Sequence, residues 1–221
     1  MILSEVITYV RTILDEDTAE FYTDPMLTVF IQRSFLSVYT QIAQMGRGYF
    51  QTTASISYVA NQDLYPLAAI APNGFVKLDL VERVDVSPAS KLLPIDISEK
   101  NDYQSYGATV DSKGYERYFI SGNNLGIAPT PPAAVANALK LWFVPVPAKP
   151  TLPGDTFPLD LTDLHHEAIA QGAYMRAAQR DKQLIALVAP VYRELMDLVK
   201  ADTQVRITQE PRRIIDTDTN Y

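Results

Sequence analysis

The sequence predicts an α+β protein: a helical bundle formed by both chain ends, an inserted antiparallel β-rich domain, and an extended C-terminal arm. Three observations lead there. Apolar residues recur every three or four positions near both termini, the pattern of a helix with one buried face. Between them the period drops to two, with turn residues at short intervals. The last residues fit neither pattern. The implied boundaries are 1–48 and 159–202 for the bundle, 49–158 for the β-rich insert and 203–221 for the arm.

The most informative helical stretch is Asp160 to Asp202. Asp160 or Thr162 serves as N-cap, and Asp163 and Glu167 follow where carboxylates suit the positive helix end. Leu164, Ala168, Gly172, Met175 and Ala178 or Gln179 share one face. Ala168, Ala170, Gly172, Ala173, Ala177 and Ala178 make this segment unusually small, so neighbouring helices can approach closely. After Asp181 a second apolar run holds Leu184, Leu187, Val188, Val191, Tyr192, Leu195, Leu198 and Val199. Pro190 lies inside it and predicts a kink or restart near Ala186–Pro190.

At the other end, Ser4 is expected to cap a helix whose apolar positions are Val6, Ile7, Val10, Ile13 and Leu14. The acidic run Asp15-Glu16-Asp17 then reads as a solvated loop. Thr23-Asp24-Pro25 starts a second helix, with Pro25 suited to the first helical position. Leu27, Phe30, Ile31, Ser34, Phe35, Val38, Ile42 and Met45 mark one face of it, and Gly46 stops it.

From Tyr49 the texture is β. Thr53–Val59 alternates, with Ala54, Ile56 and Tyr58 on one side. Asn61-Gln62 turns into a short return strand at Asp63–Leu67, where Pro66 argues for a sheet edge. Further strands are expected at Val76–Val86, Leu92–Ile97 and Leu139–Val144, the last holding the only Trp. Glu99–Tyr106 is ambiguous, with room for one helical turn before a loop around Gly107–Gly114. Gly122-Asn123-Asn124 joins Tyr115–Ser121 to Gly126–Pro129 as a hairpin. A Pro-rich stretch, Pro145–Pro158, returns the chain to the helices. In the arm, Gln204–Thr208 can form a strand that Pro211 breaks.

Composition excludes several functions. Hydrophobic content of 47% and charged content of 20% describe a globular chain, not a disordered one. No run of about 18 apolar residues offers a membrane span. The N-terminus lacks signal-peptide character, so no secretory route is expected. Zero Cys rules out disulfides, thiol catalysis and the usual structural zinc sites. Net charge is −7, of which residues 1–24 hold six acids against Arg11 alone. With no basic stripe, tight nucleic-acid binding is not expected.

No catalytic constellation emerges. His165-His166-Glu167 lacks HxxxH or HExxH spacing, and adjacent helical side chains point about 100° apart, so polar residues at a helix start are the better reading. Gly122-Asn123-Asn124-Leu125-Gly126 lacks the lysine and helix of a phosphate loop. No nucleophile elbow is present. Asp79, Glu82 and Asp85 read as solvent-facing positions of a strand. The Tyr-rich Tyr103–Tyr118 could offer a sugar-binding surface, although packing explains it better. No enzyme activity, cofactor or metal is expected.

Several stretches together resemble the head-to-tail adaptor (connector, or neck) proteins of tailed bacteriophages. Val10-Arg11-Thr12-Ile13-Leu14-Asp15-Glu16 and Phe21-Tyr22-Thr23-Asp24 are similar to that family's first helix, acidic loop and second helix start. Tyr58 to Leu67, with Gln62, Tyr65, Pro66 and Leu67, resembles its first hairpin. Tyr118-Phe119-Ile120-Ser121-Gly122 with Leu125 to Pro132 resembles a later one. Lys140-Leu141-Trp142-Phe143, through Pro158 into Leu164-His165-His166-Glu167-Ala168, resembles the last strand, the Pro-linked return and the final helices. Pro190 departs from that pattern.

The resemblance implies a structural virion protein at the head–tail interface, assembled in the host cytoplasm. It implies a homo-oligomeric ring, typically of twelve copies, between the portal protein and a tail, nozzle or tail-terminator protein. Double-stranded DNA would pass through transiently and without sequence specificity, and no membrane is involved. The C-terminal arm would grip the portal, with Arg206, Ile207, Arg212, Arg213, Ile214 and Ile215 as contact residues, by strand addition and arginine bonding. Asp15, Glu16 and Asp17 are candidate channel-lining acids, because negative charge repels DNA phosphates and lets a duplex slide. The rival readings are another neck, tail-completion or tail-tube protein, or a carbohydrate-binding β-module.

Overall fold

A computed structural model describes residues 1–16, 21–45, 48–104, 116–157, 161–180 and 182–209. It is mixed α/β, with five α-helices and one seven-stranded sheet. The chain divides into two compact units, Met1–Tyr49 with Lys149–Tyr221, and Phe50–Ala148.

In the first unit α1 spans Leu3–Leu14 and α2 Asp24–Met45. After the central residues of the chain come α4, Asp163–Ala177, and α5, Lys182–Gln209. Each of α1, α2 and α5 packs on α4, and α2 also touches α1 and α5. Helix α4 is therefore enclosed from three directions, which its composition permits. Ala168, Ala170, Gly172, Ala173 and Ala177 are all buried. At the tightest point a Cβ on Gly172 would lie 2.1 Å from Ser34 Oγ on α2 and 3.0 Å from Tyr192 Cε2 on α5. Leu27, Ile31, Phe35, Val38 and Ile42 supply the bulk from α2, all fully buried.

Several helix ends differ from expectation. Helix α1 begins at Leu3, not after a Ser4 cap. Its first N–H groups find partners in the Pro-rich return: Leu3 N donates to Asp155 O at 2.9 Å and Ser4 N to Pro153 O at 3.0 Å. Glu5 reaches back to accept from Ile2 N at 2.8 Å. A helix start satisfied by distant backbone has no local signature. Between α4 and α5 the chain makes a 3-10 turn, Ala178–Arg180, about ten residues before the expected break. Pro190 instead lies inside a continuous α5, where it and Ala186 are both exposed, so the carbonyl freed by the missing N–H meets water. The strand expected at Gln204–Thr208 is helix, since α5 continues to Gln209. Buried Leu195, Met196, Val199 and Thr203 extend the helical period, and Thr203 Oγ1 donates to Val199 O at 2.8 Å. That packing outweighs the weak β preference of Val205 and Ile207.

In the second unit the strands are β1 Thr52–Tyr58, β2 Leu64–Pro66, β3 Phe75–Arg83, β4 Ser90–Pro94, β5 Arg117–Ser121, β6 Asn124–Ala128 and β7 Val135–Pro145. A five-residue helix, α3 (Lys100–Gln104), precedes β5. The sheet order is β1-β7-β3-β4-β5-β6-β2. The expected faces hold for β1, whose Ile56 and Tyr58 are buried between exposed Ser55 and Ser57. Two pairings were not foreseeable from neighbouring residues. β2 pairs with β6, not with β1 as a return strand. β4 and β5 are parallel, so the sheet is not wholly antiparallel, and the crossover between them contains the 3-10 turn Ile97–Glu99 and α3. Both edge strands still reach one core, where Ile56, Tyr58, Tyr65, Val81, Leu125 and Leu139 meet.

The Gly122 hairpin forms as expected. Gly122 takes φ 58°, and Gly126 lies under Phe119, whose ring would be 2.2 Å from an added Cβ. Opposite Ser57, β7 bulges where Asn137 takes φ 49° and donates its N–H to Ser57 Oγ at 3.0 Å.

The contact at Gly172 yields a test. Replacing glycine by alanine within a helix ordinarily stabilises by about 1 kcal/mol. Here the added methyl overpacks a rigid site, a penalty of about 1–3 kcal/mol. Gly172→Ala should therefore lower stability in denaturant unfolding, and adding Ser34→Gly should recover part of the loss. A Gly172→Ala protein as stable as the parent would show that α2 and α4 are not so closely packed.

Candidate functional site

The residues that could carry chemistry are tied into structure. His165 and His166 lie in the first turn of α4, as expected of polar residues at a helix start, and both are buried, at 0% and 5% exposure. Thr162 is the N-cap of α4, and its N–H donates to His165 Nδ1 at 2.9 Å. His165 thus fills the place that Glu or Gln takes in a capping box. His166 packs edge-on against Phe157 with ring centroids 5.8 Å apart. Among the described residues no group of three or more His, Asp or Glu is placed to hold a metal ion. No helix described is long and apolar enough to cross a membrane.

The carboxylates read as solvent-facing are engaged instead. Asp79 bonds Lys77 Nζ at 2.7 Å and Gln51 Nε2 at 3.1 Å. Glu82 accepts the Trp142 indole N–H at 2.8 Å. Asp85 takes both Nε and Nη2 of Arg83, at 2.7 and 3.0 Å, and those bonds hold its pKa below the usual carboxylate range. Arg83 Nη1 also reaches Glu116 at 2.6 Å, and Glu116 accepts from Tyr58 Oη at 2.9 Å. Burial raises the pKa of both Glu116 and Tyr58. This network links β1, β3 and the entry to β5, and a satisfied polar network of this kind specifies pairing. In the Tyr-rich region, Tyr103 lies under the Arg117 guanidinium at 5.6 Å and Tyr118 is half-buried; residues 105–115 lie outside the described set.

The candidate channel acids separate. Asp15 is exposed and closes α1 in a left-handed conformation, φ 54°. Glu16 turns inward: it accepts from Phe21 N at 2.6 Å and Tyr22 N at 3.0 Å, and lies 3.7 Å from Arg11. Arg11 in turn bonds Asp24 at 2.6 Å and Tyr22 O at 2.8 Å. The Glu16 end of the acidic stretch is therefore a braced turn. Asp17 is outside the described residues. In the arm, Arg206 and Ile207 lie on the last turns of α5, with side chains outside the description, as are Arg212, Arg213, Ile214 and Ile215 altogether.

What remains open on the helical unit is apolar surface. Leu187, Val191, Leu198 and Val205 of α5 are 72%, 51%, 51% and 51% exposed. The helical period alone groups the first three with Val188, Leu195 and Val199, which are buried. At about 100° per residue the exposed and buried sets are centred about 85° apart, so the apolar arc of α5 runs from a buried face onto an open one. The signal was available: the apolar arc is too wide for one face. Helices α1 and α2 also enclose a groove of about 550 Å³, in which Leu3, Ile7, Pro25, Val29 and Pro153 are interspersed with polar residues such as Arg11, Asp24 and Gln32. It adjoins a shallower depression of Pro25, Met26, Val29, Phe30 and Arg33. Two apolar surfaces on one unit point to macromolecular contact, not to small-molecule chemistry.

His166 gives a pH prediction. Burial holds its pKa below the ordinary value of about 6.5, with Asp163 and Glu5 opposing. The unfolded chain binds the proton more readily, so the stability due to neutral His166 is present above about pH 6.5 and is lost as pH falls towards the folded-state value. His166→Phe should flatten stability between pH 7 and 5. An unchanged slope would remove His166 as its source.

The comparisons with known proteins bear on which assembly these surfaces serve. No curated protein matches the chain. The model of the SU10 adaptor protein family matches residues 1–214, which takes in both units and nearly the whole of the chain. The chain belongs to the SU10 adaptor protein family, a family of phage head-to-tail adaptors.

Proposed function

We propose that the protein is a structural component of the virion neck: a ring, of twelve copies, seated between portal and tail and surrounding the DNA channel. The observation that carries this reading is the family match across residues 1–214. The physical features agree with it. The exposed apolar surface of α5 and the α1–α2 groove suit a subunit that buries them on assembly.

On this reading the two units are a bundle built from both chain ends and an inserted β-rich domain. The segment after α5 extends to the portal, with Arg212, Arg213, Ile214 and Ile215 as its contact residues. Arg206 and Ile207, on the last turns of α5, act as a rigid lever for it and not as part of a strand. DNA passes without lasting contact because the channel carries negative charge, to which exposed Asp15 contributes together with Asp17.

Native mass spectrometry of the chain alone and mixed with its portal tests the assembly. The informative truncation ends at Gln209 and not at Asp202, because buried Thr203 belongs to the helix. The full chain should form a portal-bound ring, and the truncated chain should lose it. A truncated chain that still assembles on the portal would remove the arm from this role. A full chain that remains monomeric with portal would move the reading to another neck or tail component.

The channel charge has its own test. Asp15→Asn with Asp17→Asn removes two of the four acids at positions 15–20 without disturbing the Glu16 brace, and Asn tolerates the left-handed conformation at 15. DNA ejection from particles carrying this variant should slow several-fold at low salt. Unchanged ejection would place these residues away from the channel.

A further inference from the structure

We propose that the outward stripe of α5 in one copy docks into the α1–α2 groove of the next, as the repeating contact between subunits. The inference rests on the ring reading for its biological setting, but its argument is the helical unit itself.

Helices α1 and α5 both pack on α2 and α4. Helix α5 presents a ridge. Leu187, Val191, Leu198 and Val205 stand on α5 at steps of four, seven and seven, with exposed Ala201 on the same stripe. Such spacing keeps a straight seam along a helix. Over these positions the ridge runs about 27 Å at 1.5 Å per residue. Helices α1 and α2 present a groove, lined by Leu3, Ile7, Pro25 and Val29 together with Arg11 and Asp24, which are paired with each other. A helix in a groove of this kind is a common mode of recognition between chains. Because ridge and groove are different surfaces of one subunit, each copy keeps one of each free after pairing. The contact is heterologous and propagates, which a ring requires and a two-fold dimer does not.

Charge fixes the occupant as a second copy. Glu194 is exposed in the middle of the ridge, and Arg33 is exposed beside the groove, next to Val29 and Phe30. Neither has a charged partner among the described residues. A ridge docked on another copy's ridge would set Glu194 against Glu194. A ridge docked in the groove sets it against Arg33, which favours the unlike pairing and rejects the like one.

Absence of native cysteine makes the test direct. Val29→Cys and Leu198→Cys are placed singly and together in the full chain, and a mild oxidant is applied with and without portal. Both positions are exposed, so neither change threatens the fold. The double variant should give a ladder of disulfide-linked oligomers above dimer, and each single variant should give none above dimer. Arg33→Glu and Glu194→Arg should each reduce that ladder several-fold, and the two together in one chain should restore it. Efficient dimers from Leu198→Cys alone would overturn the proposal in favour of a two-fold α5–α5 contact. No crosslink between positions 29 and 198, in a chain that still binds portal as a multimer, would overturn it and leave the adaptor reading standing. A ladder without portal binding would do the reverse.

Discussion

The approach of α4 to its neighbours is the constraint on which the helical unit depends. A helix can be enclosed by three others only if its side chains are short where they meet. Here Gly172 faces Ser34 on α2 and Tyr192 on α5, with a Cβ's worth of space already taken. Ala168, Ala170, Ala173 and Ala177 are buried beside it, with Ile169 and the two histidines the larger exceptions. Large side chains on α2, such as Phe35 and Ile31, then supply the apolar area that α4 itself lacks. Close packing of this kind is rigid, and a rigid core can carry exposed apolar faces without collapsing onto them.

The ends of the helices show the same dependence on distant parts of the chain. The N–H groups opening α1 are satisfied by backbone carbonyls of Pro153 and Asp155. Tyr22, held by Glu16, donates its hydroxyl to the Ala177 carbonyl at 2.8 Å, closing the end of α4. The start of α1 is therefore tied to the Pro-rich return, and the turn after α1 to the α4–α5 junction. The acids near residue 16 serve these ties in part, so the charge excess there is not free to act wholly on a ligand or on DNA.

In the β unit the corresponding role falls to polar contacts. Arg83 is shared between Asp85 and Glu116, and Glu116 also takes the Tyr58 hydroxyl. Each member is partly buried and each is paired, so mispairing of β1, β3 and β5 would leave charges unsatisfied at a cost of several kcal/mol. Sheet order, which alternation of apolar residues leaves open, is restricted by that penalty.

What the sequence by itself determined was local. Periodicity marked α1, α2, α4 and α5, alternation marked β1, the Leu139–Val144 run marked β7, and Gly122-Asn123 marked the β5–β6 hairpin, because each signal is written in adjacent residues. The succession of these elements was enough to suggest the family. Tertiary structure alone decided the partners. β2 joined β6 across about sixty residues, β4 and β5 ran parallel, and the Gln204–Thr208 segment became helix because Thr203 was buried. It also separated Glu16, drawn into the turn before α2, from exposed Asp15, and divided the apolar residues of α5 into a buried face and an open one. Those outcomes depend on which surfaces meet, and burial is a property of the meeting, not of the residue.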